Sequence, residues 1–274
     1  MNDQLIIDVG MHTGRDTEFY LKKGFHVVGI EANPALVREV ERRLHDYIRQ
    51  RRLTIYNVAI HDREGEVDFH VNLQKDDWGT TSESFAARNR RLGTQDRVIR
   101  VPCLRFETIL EQCGVPYYLK IDIEGADLLC LSALHQVRER PRYVSIEAGL
   151  TSFDETFTEL SHFWTLGYRR FKIVNQALNP TVRCPRPPLE GDYVDAAFDG
   201  TTSGPFGEEA PGAWLDVEQT LARYRSVLRE QALFGAQGRF YGTRLARLHA
   251  WYRRIAGKEP VGWYDIHARL GDAA

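Results

Sequence analysis

Residues 5–14 read Leu-Ile-Ile-Asp-Val-Gly-Met-His-Thr-Gly. The apolar run into Gly10 predicts a short parallel strand buried on both faces. Residues 16–23 then read as a helix closed by Gly24. The pattern repeats outward from this segment. Residues 25–32 predict a second strand. Asn33 reads as a helix cap with Pro34 at the first helical position. Leu36, Val37, Val40, Leu44, Tyr47 and Ile48 fall on one face of the helix that follows. Residues 53–60 predict a third strand. Strand–helix–strand–helix–strand implies a parallel sheet with helices on both faces.

The rest of the chain divides less evenly. Residues 66–72 alternate and predict a hairpin-like strand, and residues 98–102 another. Between them, residues 75–96 read as a long polar loop around Gly79-Thr80-Thr81-Ser82, with a helix from about Ser84. Phe106, Ile109, Leu110 and Cys113 mark a helix stopped by Gly114. Further strands are predicted at 117–121, 143–148 and 169–174. A helix follows the first of these through Leu134, and another carries Phe153, Phe157, Leu160 and Trp164. Beyond residue 180, proline and glycine become frequent and two helices close the chain. One carries Val217, Leu221, Tyr224 and Leu228 behind Asp216; the other carries Leu245, Leu248, Tyr252 and Ile255. The expected division is a domain over 1–180 and a C-terminal extension over 181–274, acting as substrate cap or oligomer contact.

Bulk properties exclude several classes. The chain has 274 residues, 43% hydrophobic and 27% charged, with a formal net charge of -2. That is ordinary globular composition with no bulk attraction to nucleic acid or anionic surfaces. Cys103, Cys113, Cys130 and Cys184 form no CxxC pair and read as reduced packing thiols of a cytoplasmic protein. No apolar run reaches the ~20 residues of a membrane span. Residues 1–4 do not resemble a signal peptide.

Three features carry chemistry. Gly10 and Gly14 bracket a sharp turn where a ligand can approach the backbone. The spacing is GxxxG, where a dinucleotide site would show GxGxxG. Asp8 ends the strand, where a carboxylate repels a diphosphate but can engage a cationic amino-acid group. S-adenosylmethionine presents an ammonium and a sulfonium and no phosphate, so the turn suits it better than NAD. Glu31 ends the second strand about 20 residues later, where an acid accepts two hydrogen bonds from a ribose diol. Finally, Asp122 and Glu124 follow the buried run Tyr118-Leu119-Lys120-Ile121, at the sheet edge that faces ligands in open α/β sheets.

The segments IDVGMHTGRDTEFYLKKGF, VVGIEANP, NVAIHDREGEV and YLKIDIEGAD, in this order, together with the loop WGTTSES, resemble the FkbM family of methyltransferases. The resemblance covers residues 5–180 well and the tail less firmly. It implies a class I methyltransferase Rossmann-like fold: a mostly parallel seven-stranded sheet, helices on both faces, and here a C-terminal helical extension. It also implies O-methylation of hydroxyls on sugars, polyketides or other specialised metabolites, as in natural product biosynthesis. Carried over, Asp8, Gly10, His12 and Gly14 would line the methionine part of the cofactor. Glu31 would hold the ribose, and Ala32, Asn33, Asn57 and Ala59 would border the adenine. His12 departs from the family, where Asn is common.

Methyl transfer to an alcohol is an in-line displacement that gains from a general base. The candidates are Glu124, favoured as base, Asp122 nearer the cofactor, and Glu147 facing substrate; His61 is weaker. These acids could also supply oxygen ligands to a divalent metal, but metal-independent chemistry is preferred and no metal ligands are assigned. Residues 78–84 and 192–214 are expected to form a lid, with Tyr193, Phe206 and Trp214 either stacking on substrate or packing the tail. The arginines from Arg223 to Arg254 make the tail basic, yet a nucleic-acid role is not favoured. The expected partner is a small-molecule hydroxyl acceptor, with no membrane and with a homo-oligomer through the C-terminal helices left open. Competing readings are a nicotinamide-dependent oxidoreductase, an RNA methyltransferase and a non-catalytic cofactor-binding scaffold.

Overall fold

The run that opens the sequence is the centre of the sheet. A computed structural model describes residues 1–149, 152–236 and 238–271. In it β1 (Asn2–Val9) is buried from Leu5 onward, with Ile6, Ile7 and Val9 fully enclosed. A completely buried side chain of this size contributes roughly 1.5–3 kcal/mol. The described residues fall into two compact units, Met1–Val144 and Ser145–Ala274.

In the first unit, α1 (Arg15–Lys22) leads to β2 (His26–Ile30). Next come α2 (Pro34–Arg43), α3 (His45–Arg49) and β3 (Leu53–Tyr56). The Asn33 side chain accepts from Ala35 N, with Pro34 in the first turn, as the sequence predicts. The predicted helix breaks into two at Leu44, which is itself buried. β1 pairs in parallel with β2, and β2 with β3.

The third predicted strand is split. β4 (Ala59–Ile60) leaves the main sheet and joins a smaller one with β5 (Gly65–Asn72). Asn57 accounts for the departure: its amide Nδ2 donates to the carbonyls of Glu31 at 2.8 Å and Ala32 at 3.2 Å. That side chain fills the place of the next ladder bond. The helix α4 (Glu83–Arg91) starts at the Ser82 cap, and β6 (Asp96–Leu104) runs antiparallel to β5 and parallel to β4. After α5 (Phe106–Cys113), β7 (Pro116–Ile121) returns beside β1, and α6 (Asp127–Ala133) follows.

β8 (Tyr143–Glu147) runs across the boundary, and the second unit continues with α7 (Phe153–Thr165), β9 (Tyr168–Asn175), α8 (Val217–Phe234), α9 (Arg244–Ile255) and β10 (Tyr264–Leu270). β10 was not expected: the tail contributes a strand, antiparallel to β9 over Tyr264↔Asn175 to Leu270↔Tyr168. The expected division at residue 180 thus runs between two paired strands. The main sheet has the order β3-β2-β1-β7-β8-β10-β9. This is the mostly parallel seven-stranded α/β arrangement of class I methyltransferases.

Phe206 is fully buried, and Trp214 Nε1 donates to Glu208 Oε2 at 2.8 Å while Lys172 lies over its ring. These aromatics pack the tail. Leu245, Leu248, Tyr252 and Ile255 do share a face of α9, but that face is exposed. Among the described residues no helix is long and apolar enough to cross a membrane.

Candidate functional site

The chain turns sharply after β1 because Ile30 O accepts from both Gly10 N and Met11 N, at 2.9 and 3.0 Å. Gly10 has φ +79°, and a Cβ there would lie 1.9 Å from the Asp122 carbonyl oxygen. Glycine is therefore required both by conformation and by the close passage of the turn after β7. Gly14 is also left-handed, φ 69°, and caps α1.

Around this turn the structure gathers His12, Glu31, Asn33 and Asn57. Glu31 accepts from His12 N at 3.0 Å through Oε2 and from Asn33 N at 2.7 Å through Oε1. Burial raises its pKa against these two hydrogen bonds. Each carboxylate oxygen still has an unused lone pair, so a vicinal diol can donate to both. His12 adopts φ 52°, a region that Asn and His enter more readily than most residues. Its Nε2 lies 3.5 Å from Asp76 Oδ2. Ala32 packs against the apolar cluster of the small sheet, and Ala59 lies inside that cluster with Val67, Phe69, Val101 and Cys103. Ala59 is buried there.

Asp8 differs from expectation. It is fully buried, with Oδ2 accepting from Thr17 Oγ1 at 2.6 Å and Oδ1 3.3 Å from Lys120 Nζ. Asp8 and Lys120 are register partners across β1 and β7. Burial alone would lower the pKa of Lys120, but Asp8, Asp122 and Asp16 outweigh it and hold the ammonium well above the ordinary lysine value. The charge of Asp8 is thus paired inside the sheet. The outward acid is Asp122, which is half exposed and 3.5 Å from Lys120 Nζ. A second obstacle to a diphosphate is the acidic first turn of α1, Asp16 and Glu18. These acids already occupy the positive end of the helix dipole.

The turn after β7 carries the most perturbed carboxylate of this edge. Glu124 sits at φ 44°, followed by Gly125 at φ 96°. A left-handed glutamate is strained, and three contacts hold it. Thr80 Oγ1 donates to Glu124 O at 2.7 Å. Arg88 Nη2 donates to Glu124 Oε2 at 3.2 Å. The Phe85 ring packs where a Cβ on Gly125 would sit. Burial, reinforced by the Asp122 charge and opposed by Arg88, pushes the Glu124 carboxyl up to about 7. Asp127 accepts from Ile123 N at 3.2 Å and Gly125 N at 3.3 Å, and burial with the Asp122 charge raises its carboxyl to about 6. Thr80, Arg88, Lys120 and Asp127 were given no site role from the sequence. Asp127 could have been, as an acid two residues beyond Gly125.

Glu147 ends β8 in the second unit with an exposed side chain. His61 pairs with its neighbour Asp62 at 2.5 Å. Among the described residues no group of three or more His, Cys, Asp or Glu side chains is placed to hold a metal ion.

A methyltransferase from Methylobacillus flagellatus KT, described as FkbM, is 15% identical over 62% of this chain and 40% of its own, with a TM-score of 0.42. This chain thus spans well under half of that protein. A SAM-dependent methyltransferase from Archaeoglobus fulgidus is 12% identical over 98% and 86% of the two chains, TM-score 0.37. A precorrin-6y C5,15-methyltransferase from Geobacter metallireducens GS-15 is 13% identical over 64% and 69%, TM-score 0.36. Likeness at this level says nothing of the reaction. No curated protein matches the sequence. The profile of the Methyltransferase FkbM domain matches residues 8–170, more than half of the chain and every part of the turn system above. The chain belongs to the FkbM methyltransferase family.

Proposed function

We propose that this methyltransferase moves the methyl group of S-adenosylmethionine to a hydroxyl of a small molecule, a sugar or another specialised metabolite. The observation that carries the reading is Glu124: a carboxylate held at φ 44° and bound by Arg88, on the turn that packs against Gly10, with burial pushing its pKa up to about 7. A base is most effective when its pKa lies near the working pH.

S-adenosylmethionine supplies, when bound, a methyl group activated by a sulfonium. The residues present suit it. Glu31 offers two free lone pairs to a ribose diol, and Gly10 lets the turn after β1 pack directly against the turn after β7, which brings the acids of that second turn beside it. Asp122 presents a carboxylate toward which an ammonium is attracted and a diphosphate is not. Glu124 takes the proton of the acceptor hydroxyl at a carboxylate oxygen. Arg88 and Thr80 fix that carboxylate and its backbone, so little reorganisation is needed as the proton moves. The segment from Trp78 to Arg88 is tied to this turn through Thr80 and Arg88.

The test is incubation with S-adenosylmethionine and a panel of polyhydroxylated acceptors. S-adenosylhomocysteine should form together with a product methylated on oxygen. A product methylated on nitrogen or carbon, or tight binding of NADH with none of S-adenosylmethionine, would exclude the proposal.

A further inference from the structure

Helix α9 is amphipathic the wrong way round for a packed helix. Its inner face is polar. The His249 ring stacks on Phe234 with centroids 3.7 Å apart, and Arg253 pairs with Glu230. Its outer face holds Leu245, Leu248, Trp251, Tyr252 and Ile255. Of these Leu248 is 61% exposed, Trp251 62% and Ile255 65%. Soluble helices turn such a stripe inward. A contiguous exposed strip of this kind marks an interaction surface.

The charge around the strip narrows what covers it. Residues 231–258 contain six Lys and Arg and no Asp or Glu. Arg244, Arg247 and Arg254 are exposed beside the strip. A cavity of about 570 Å³ opens where α8 meets α9. Arg225, Arg229, Lys258 and Tyr252 contribute to its wall, together with Glu230, whose charge is paired with Arg253. Tyr252 therefore belongs both to the apolar strip and to a cationic pocket. A second copy of the chain would bring arginine against arginine. An anionic bilayer complements both features. Apolar side chains enter the acyl boundary, Trp and Tyr favour the headgroup level, and arginines meet lipid phosphates.

We propose that α9 lies on an anionic membrane surface, with the pocket beside Tyr252 receiving a lipid headgroup. The sequence argued against a membrane because no run could span one. A helix lying in the interface needs no span. This inference is independent of the reaction proposed above.

The experiment is flotation of the full chain with vesicles of phosphatidylcholine, with or without phosphatidylserine. The chain should float with the serine-containing vesicles alone, and added salt should release it. Arg247→Gln and Arg254→Gln should each weaken binding about fivefold. Trp251→Glu should abolish it while the far-UV circular dichroism stays unchanged. Because α9 packs through His249 and Arg253, these outward substitutions leave its seat intact. Equal flotation with neutral vesicles, or none with either, would overturn the proposal. So would a dimer that Trp251→Glu converts to monomer, which would make the strip an interface between copies.

Discussion

Arg88 donates to Glu124 Oε2 at 3.2 Å, tying the helix that follows the polar loop to the turn after β7. The guanidinium opposes the burial and the Asp122 charge that raise the glutamate. Replacing Arg88 with Met therefore raises the Glu124 pKa further above about 7. The acidic limb of the pH–rate profile should move to higher pH. An unshifted limb with merely reduced turnover would show that Arg88 does not act through Glu124.

Glu124→Gln should reduce turnover by about 10²–10⁴-fold while leaving cofactor affinity unchanged. The same variant reports on stability. The carboxyl binds its proton more tightly folded than unfolded, so the native state holds more protons between pH 4.5 and about 7. Wild-type stability from this group is complete below 4.5 and is lost as the pH rises through about 7. Glutamine removes the dependence. Urea midpoints of the two proteins across that window should diverge accordingly.

Gly10→Ala places a Cβ 1.9 Å from a backbone oxygen at a φ of +79°. The strain should cost about 1–3 kcal/mol and loosen the contact between the β1 and β7 turns. Gly65→Ala is the control: φ is +125°, but nothing lies within 4 Å of the added carbon. Strain is common to both and collision belongs to Gly10 alone. Chemical denaturation should therefore rank Gly10→Ala as clearly more damaging, and equal losses would refute the collision.

Asp8 and Glu31 should separate cleanly, although the sequence places both in the cofactor site. Asp8→Asn leaves Lys120 buried without its nearest partner and should destabilise by about 3 kcal/mol. Glu31→Gln keeps the fold and weakens S-adenosylmethionine binding about tenfold, the worth of a charge-assisted hydrogen bond. Denaturation for the first and calorimetric titration for the second are the measurements. A stable Asp8→Asn with weak cofactor binding would reverse the assignment.

In the proposed reaction Glu124 takes the proton, so that reaction requires no divalent ion. Turnover should survive exhaustive treatment with EDTA. Loss of activity that Mg²⁺ restores would show that these acids serve a metal.

How far the sequence carried depends on whether a feature is local. The β1–α1 turn was legible because Gly10, Gly14 and the apolar run lie within ten residues, and the Asn33–Pro34 helix start for the same reason. Glu31 was legible by its distance from the turn. The partner of Asp8 was not. Lys120 lies beside it only through the β1–β7 register, which no short-range pattern records. Arg88 and Thr80 reach Glu124 from a polar loop whose composition shows exposure but not direction. The strand Tyr264–Leu270 was missed because its pairing with β9 spans about 90 residues and follows an arginine-rich helix. The α9 stripe was read correctly as a helical face, but periodicity does not say whether a face is covered.

The most direct test of the account is calorimetric titration of the wild-type chain and of Glu31→Gln with S-adenosylmethionine and, separately, with NADH. The account predicts saturable binding of S-adenosylmethionine, weakened by Glu31→Gln, and none of NADH. Saturable binding of NADH to the wild type, with no heat from S-adenosylmethionine, would contradict it.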